Sequence, residues 1–157
     1  DLTVSVGEPI ADDERFRLYR KYVTEWHGKA TTEPGDAEDS SFEAFRSFLY
    51  ESPVHTIEYA YRDPAGRLVA VGICDLSEVS LSSVYFYHDP SEAKRSLGTF
   101  GALHEIEDCR RRGVPYYYLG YWVDGCGTMS YKATYRPYEL LSADGVWRRP
   151  GAEPPPE

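Results

Sequence analysis

The sequence lacks any apolar run approaching the ~20 residues that span a bilayer as a helix, which excludes a helical membrane anchor within it. Cysteine is scarce. Cys74, Cys109 and Cys126 lie 35 and 17 positions apart, make no C-x-x-C pair and leave one thiol over in any disulfide scheme, which suits a reducing cytoplasm. His27, His55 and His104 have no ligand-like spacing, so no metal site is expected. The chain carries neither a signal peptide nor an initiator Met, so "DLTVSVGEP" reads as a cut end rather than a natural start. Cations are outnumbered, with a net charge of −9, which on its face argues against a nucleic-acid partner. Their distribution changes that argument. Residues 1–51 carry 6 cations and 12 anions, whereas residues 94–149 carry 9 cations and 6 anions. The back half therefore offers either a local positive surface on an acidic protein or an ordinary solvated face.

What is present is enough for a core. The 157 residues are 41% apolar and 15% aromatic, and a chain of this length buries roughly 70% of the surface its unfolded form exposes. One domain is expected over residues 1–149, followed by a disordered Pro-rich tail, "PGAEPPPE", at 150–157. Asp12 or Asp13 caps a first helix with Phe16, Tyr19, Val23 and Trp26 on one stripe, and Gly28 ends it. A polar loop, "KATTEPGDAED", leads to "SSFE" (Ser40–Glu43), which offers a capping box for a short helix burying Phe42, Phe45 and Leu49. "HTIEYAYRD" and "RLVAVGICDL", joined by "DPAG", read as a hairpin whose second strand is central. "LSSVYFYHD" (81–89) is a further strand. A helix from Ser96 to Arg112 follows, with Ala102, Leu103, Ile106 and Cys109 on its buried face and Gly113 as its stop. The strand "VPYYYLGYWV" comes next and, after a helical crossover, should run parallel to 81–89. A closing strand is expected near "YELLSADGVW".

This order is a mixed α+β plan that resembles the GNAT superfamily of N-acyltransferases: a mixed sheet with flanking helices and a parallel strand pair that splays apart to admit the acyl donor. At the start of the crossover helix, "DPSEAKRSLGTFG" places Lys94 and Arg95 beside the free amides of Ser96, Leu97 and Gly98, an anion site suited to phosphate, or simply a helix start with Gly for packing. Phe100 stands where the GNAT pattern has Gly or Ala, which counts against a coenzyme A grip.

Residues 86–147, with "RSLGT", "YYYLGYWV", "GC", "M-x-YK" and "YRPYELL" in order, closely resemble the carboxy-terminal domain of the aminoacyl-tRNA–protein transferases, and "SPVHTIEYAYR" looks like that domain's earlier strands. The family's amino-terminal cysteine-cluster domain has no counterpart in the sequence. Thr128, before Met129, replaces the family's frequent Lys. The resemblance implies transfer of an amino acid from aminoacyl-tRNA to proteins that begin with Asp or Glu, tagging them for degradation. Leucine is favoured over arginine because the wording looks bacterial. The ester is already activated, so neither a cofactor nor a metal is expected, and positioning, amine deprotonation and oxyanion stabilisation carry the reaction. The expected partners are aminoacyl-tRNA and acidic-N-terminus acceptors, with no membrane. His88 and Asp89 at the end of the splayed strand, with Tyr121 across from them, are the candidates for base and orienting roles. His88 also reads as a strand-end histidine bonded to backbone, and Asp89 before Pro90 as a simple turn. Trp122, Cys126, Met129, Tyr131, Lys132, Tyr135 and Arg136 would line the substrate gap, with rings for adenine and with Lys132 and Arg136, on one side of a short helix, for phosphate or the acceptor's acid. Core packing is the competing reading for Met129, Tyr131 and Tyr135, and an inert thiol for Cys126. A CoA-dependent N-acetyltransferase and a noncatalytic module that binds acidic N-termini are the alternative functions.

Overall fold

The computed structural model describes residues 1–26, 41–123, 125–127 and 129–151. The predicted helix stop at Gly28, the polar loop that follows, Ser40, Thr128 and the tail beyond Gly151 lie outside these residues. The chain forms two compact units, Asp1–Gly120 and Tyr121–Glu157.

In the first unit, helix α1 (Asp13–Trp26) begins where Asp12 Oδ1 accepts the Arg15 N–H at 2.9 Å, and Asp13 and Glu14 in its first turn complement the helix dipole. Helix α2 (Phe42–Leu49) is capped by Ser41, whose Oγ accepts the Ala44 N–H at 3.0 Å. The cap falls one residue later than the capping box implied, and Glu43 pairs with Arg46 at 3.0 Å. Phe16 and Tyr19 of the predicted stripe meet Phe45 at ring distances of 5.3 and 5.1 Å, while Leu18, off that stripe, is more deeply buried.

Five strands form the sheet in the order β1 (Thr3–Gly7), β2 (Thr56–Arg62), β3 (Leu68–Leu76), β4 (Ser80–His88) and β5 (Tyr116–Tyr118). The β2–β3 hairpin turns at Asp63–Gly66, where Gly66 adopts φ 82°, and β3 is central as expected. Strand β1, antiparallel on the edge, was not anticipated, although "TVSVG" alternates. β5 is parallel to β4, as a helical crossover requires, but spans three residues rather than the expected 115–122.

One face of the sheet packs Ala60, Val71, Ile73 and Tyr87 against Leu18, Phe45 and Leu49. The other packs Ile57, Tyr59, Tyr61 and Cys74 against Leu97 and Cys109 of helix α3 (Leu97–Arg112). Helix α3 corrects its predicted face. Leu103 is 54% exposed, whereas Glu105 and Asp108 are buried beside Gly101, Ala102 and Cys109. Both acids have partners on neighbouring elements: Tyr117 Oη donates to Glu105 Oε2 at 2.6 Å and Tyr59 Oη to Asp108 Oδ2 at 2.7 Å. Under β2, the buried Arg15 and Glu58 pair at 2.6 Å and lock α1 to the sheet. Removing Arg15 would strand the buried Glu58 charge at a cost of about 3–5 kcal/mol, whereas without Glu58 the guanidinium would keep Asp12 at 2.6 Å.

In the second unit, Ser130–Thr134 forms a 3-10 helix, and β6 (Leu140–Leu141) pairs with β7 (Trp147–Arg148). The expected closing strand is therefore a separate two-stranded hairpin, turning at Gly145 with φ 79°. Among the described residues no helix is long and apolar enough to cross a membrane, and no cluster of three or more His, Cys, Asp or Glu is arranged to hold a metal.

Candidate active site

β4 and β5 share three register pairs, Ser80–Tyr116, Leu81–Tyr117 and Ser82–Tyr118, and then part. From Ser83 to His88 the outer edge of β4 has no strand beside it among the described residues. Such an edge presents unladdered N–H and C=O groups to whatever enters the opening. The pairing with β3 also slips here: Ser83 faces Cys74 and Tyr85 faces Ile73, so Val84 has no opposite and stands exposed as a bulge. Tyr85 and the exposed Phe48 meet edge-on at 5.6 Å beside the opening, a shelf that the sequence reading missed although Tyr85 lies within a recognised strand.

At the far end of β4, His88 is buried against Tyr22 at 5.1 Å and Phe86 at 6.3 Å. Its Nδ1 lies 3.2 Å from the Asp89 carbonyl oxygen. A carbonyl only accepts, so in this contact Nδ1 is the donor. Burial lowers the imidazole pKa, more than its contacts with Asp89 raise it, so the ring is neutral at neutral pH.

Asp89 is a junction. Its carboxylate accepts from Lys21 Nζ at 2.7 Å, Arg67 Nη1 at 2.8 Å, the Ser91 N–H at 2.9 Å and Ser91 Oγ at 2.6 Å. Burial raises its pKa, but the Lys21 and Ser91 bonds overcome that and hold it at about 2. A group so occupied fixes the end of β4 and caps the 3-10 turn Pro90–Arg95; it is unsuited to taking a proton.

The predicted anion site is less uniform than the sequence implied. Ser96 adopts a left-handed conformation with φ 51° and its side chain caps nothing. Leu97 is buried, Lys94 and Gly98 are exposed, and Arg95 pairs with Asp1 and with Glu92 at 3.5 Å. Arg95, Leu97 and Phe100 line a small hollow of about 130 Å³ together with Asp1 and Leu2.

The remaining predicted residues belong to the second unit. Tyr121 is 90% exposed, and its carbonyl accepts from Lys132 Nζ at 2.7 Å. Burial lowers the Lys132 pKa. Trp122, Cys126, Met129 and Tyr135 are half-buried, and Tyr131 is exposed, edge-on to Tyr135 at 6.4 Å. The helix expected to align Lys132 with Arg136 ends at Thr134 because Tyr135 turns extended. Arg136 lies over the Tyr138 ring at 5.8 Å and lines a cleft of about 430 Å³ with Arg149, a cation the sequence reading did not select.

Residues 14–142 match the family described as "Arginine-tRNA-protein transferase, C terminus". The chain belongs to this family. It is 41% identical over 141 residues to an aspartate/glutamate leucyltransferase of Pseudomonas putida (strain W619), covering 90% of this chain and 57% of that protein. Proteins of the same name from Teredinibacter turnerae and Hahella chejuensis are 38% and 35% identical, over 90% and 92% of this chain and 56% and 59% of theirs. The chain thus spans little more than half the length of these relatives. In fold it is similar to the PaiA N-acetyltransferase of Thermoplasma acidophilum (TM-score 0.56, 12% identity, 89% of this chain and 91% of that one). It is also similar to a GNAT-family acetyltransferase of Streptococcus pneumoniae (TM-score 0.51, 12% identity, 85% and 86%). The transferase family therefore has the GNAT fold here, an α+β architecture with a mixed sheet between flanking helices.

Proposed function

We propose that this chain is the acyl-transfer module of an aminoacyl-tRNA–protein transferase, moving leucine from leucyl-tRNA to the α-amine of proteins that begin with Asp or Glu and so marking them for degradation in the cytoplasm. The observation that carries the reading is the 41% identity over 141 residues to a protein named for leucine transfer to aspartate and glutamate. The parting of β4 and β5 supports it, because an acyl donor needs an opening lined by unused backbone donors.

In this reading the acceptor nitrogen attacks the ester carbonyl carbon, and the oxyanion that forms is stabilised by backbone N–H groups on the uncovered edge of β4. The neutral His88 imidazole takes the proton released by the amine, and that proton passes to the ribose oxygen as the C–O bond breaks. Asp89 anchors the end of the strand so that the imidazole stays in place, and Tyr121 assists in orienting the substrates. An α-amine has a reference pKa of about 8, so the base has only a modest task. Lys94, Arg95 and the Leu97 and Gly98 amides are assigned to tRNA phosphate; the Ser96 amide, expected to join them, already donates to the Ala93 carbonyl at 3.2 Å. Trp122, Cys126, Met129, Tyr131 and Tyr135 are assigned to the aminoacyl-adenosine end, and Lys132 and Arg136 to the acceptor's acidic side chain.

The test is incubation of the chain with labelled leucyl-tRNA and peptides beginning with Asp, Glu or Ala. Transfer to the first two alone supports the reading. Transfer from arginyl-tRNA instead would change the donor. Peptide binding without transfer from either would replace an enzyme with a recognition module.

A further inference from the structure

The most enclosed acid among the described residues has no part in the chemistry above. Glu105 is 1% exposed, lies on α3, and makes no ion pair among the described residues. Oε2 accepts the Tyr117 hydroxyl proton at 2.6 Å, and Cys74 and Ser83 lie beside the carboxyl. The carboxyl fits where β3 omits a side chain: a Cβ at Gly72 would stand 2.6 Å from Oε1. The groups facing it are protic and uncharged: Cys74 on β3, Ser83 on β4, Tyr117 on β5, and Tyr59 and Tyr61 on β2. Burial raises its pKa, and its contacts with Tyr117, Cys74 and Ser83 only partly offset that.

The location bears on function. Tyr117 is the middle residue of the three-residue pairing, and Ser83 is the first β4 residue beyond it. Gly72 and Cys74 on β3, Ser83 on β4, Glu105 on α3 and Tyr117 on β5 therefore meet at the point where the two parallel strands diverge. The Glu105–Tyr117 bond joins α3 to β5 at that point.

We infer that Glu105 is a positioning residue: through its bond to Tyr117 it fixes where β5 leaves β4, and so sets the width of the opening that receives the acyl donor. The inference rests on the acyl-transfer reading for its kinetic consequence, but its structural consequence is independent of that reading.

The experiment compares Glu105→Gln, Glu105→Ala and Tyr117→Phe in the whole chain by amide hydrogen exchange and by initial rates with leucyl-tRNA and an Asp-initiated peptide. Gln still offers Tyr117 an acceptor without charge, so E105Q should keep wild-type exchange at Tyr116 and Tyr118, whose amides face β4, and wild-type kinetics within about threefold. Losing the bond in Y117F or E105A should speed exchange at those amides by about tenfold, the worth of one buried hydrogen bond, and leave β2 and β3 protected. The same variants should raise KM for leucyl-tRNA by about tenfold and leave KM for the peptide unchanged. Unchanged exchange in Y117F overturns the inference. So does faster exchange spread over β2 and β3, or an equal rise in both KM values, since either marks general loosening. If E105A does not fold, Y117F decides, because it keeps the ring. If the unmodified chain transfers nothing, the functional reading fails while the exchange arm still decides the role of Glu105.

Discussion

Lys21 Nζ donates to Asp89 Oδ1 at 2.7 Å, tying the middle of α1 to the residue that follows β4. Arg67 Nη1 holds the other carboxylate oxygen at 2.8 Å, so three elements converge on one buried acid next to His88. Asp89→Ala should destabilise the chain by about 1–3 kcal/mol, less than a fully buried pair because both cations are partly exposed. Urea unfolding measures it. The Asp89 pKa is depressed, so its contribution is complete above the unfolded value of about 3.9 and is lost as pH falls through that value toward 2. Asp89→Asn should flatten stability over that acid window, and an unchanged profile would show that other carboxylates govern acid unfolding.

His88 should titrate below an ordinary histidine, because burial against Tyr22 and Phe86 disfavours the imidazolium. Its stabilising effect is present above the unfolded pKa of about 6.5 and declines as pH drops below it, where the unfolded chain binds a proton that the folded chain resists. NMR of the ring protons gives the titration directly. With His88 as the base, His88→Ala should lower kcat by about 10²–10⁴-fold with the fold intact. A kcat within threefold of wild type would move the proton transfer to another group.

Much of the first unit is legible in the sequence because its elements answer to local patterns: Asp12 before an apolar stripe, an alternating run before "DPAG" and a fully apolar one after it, and Gly113 after three arginines. Glu105 and Asp108 were not legible. Nothing local marks an acid for burial when its partners, Tyr117 and Tyr59, sit 12 and 49 residues away. Hydrophobicity alone turns Leu103 inward, yet the row through Leu97, Gly101, Glu105 and Cys109 faces the sheet. The run "VPYYYLGYWV" reads as strand along its length but pairs at only three residues, because β5 parts from β4 after Tyr118. Arg149 escaped notice because only a hairpin between it and Tyr138 brings it to the cleft with Arg136.

The glycines of α3 should separate cleanly. A Cβ at Gly101 would meet Phe86 Cε2 at 2.3 Å, with two more ring carbons within 3.1 Å, so the aromatic ring beside the opening has to move. Overpacking of this kind costs about 1–3 kcal/mol, and Gly101→Ala should lower Tm accordingly. Gly98, in the first turn of the same helix, has nothing within 4 Å of its Cβ site and no positive φ. Gly98→Ala should therefore be neutral or raise stability by up to about 1 kcal/mol. A thermal scan that ranks the two variants the other way would contradict the packing of Phe86.

Lys132 and Arg136 are expected to contribute unequally to choosing an acidic acceptor. Lys132 is half-buried and already donates to the Tyr121 carbonyl at 2.7 Å, so its charge is committed to shaping the segment. Arg136 is exposed, makes no ion pair among the described residues and shares its cleft with Arg149. A charge-assisted hydrogen bond to a carboxylate is worth about 1.5–3 kcal/mol, which is roughly 10- to 150-fold in affinity. Arg136→Ala should raise KM for an Asp-initiated peptide by that factor while barely changing the weak reaction of an Ala-initiated one, so the Asp-to-Ala preference collapses. Lys132→Ala should reduce the preference less and should also slow transfer to both peptides, because Tyr121 loses its tether. Competition between the two peptides in one reaction reads the preference directly, and a preference intact in both variants would assign acid recognition elsewhere on the chain.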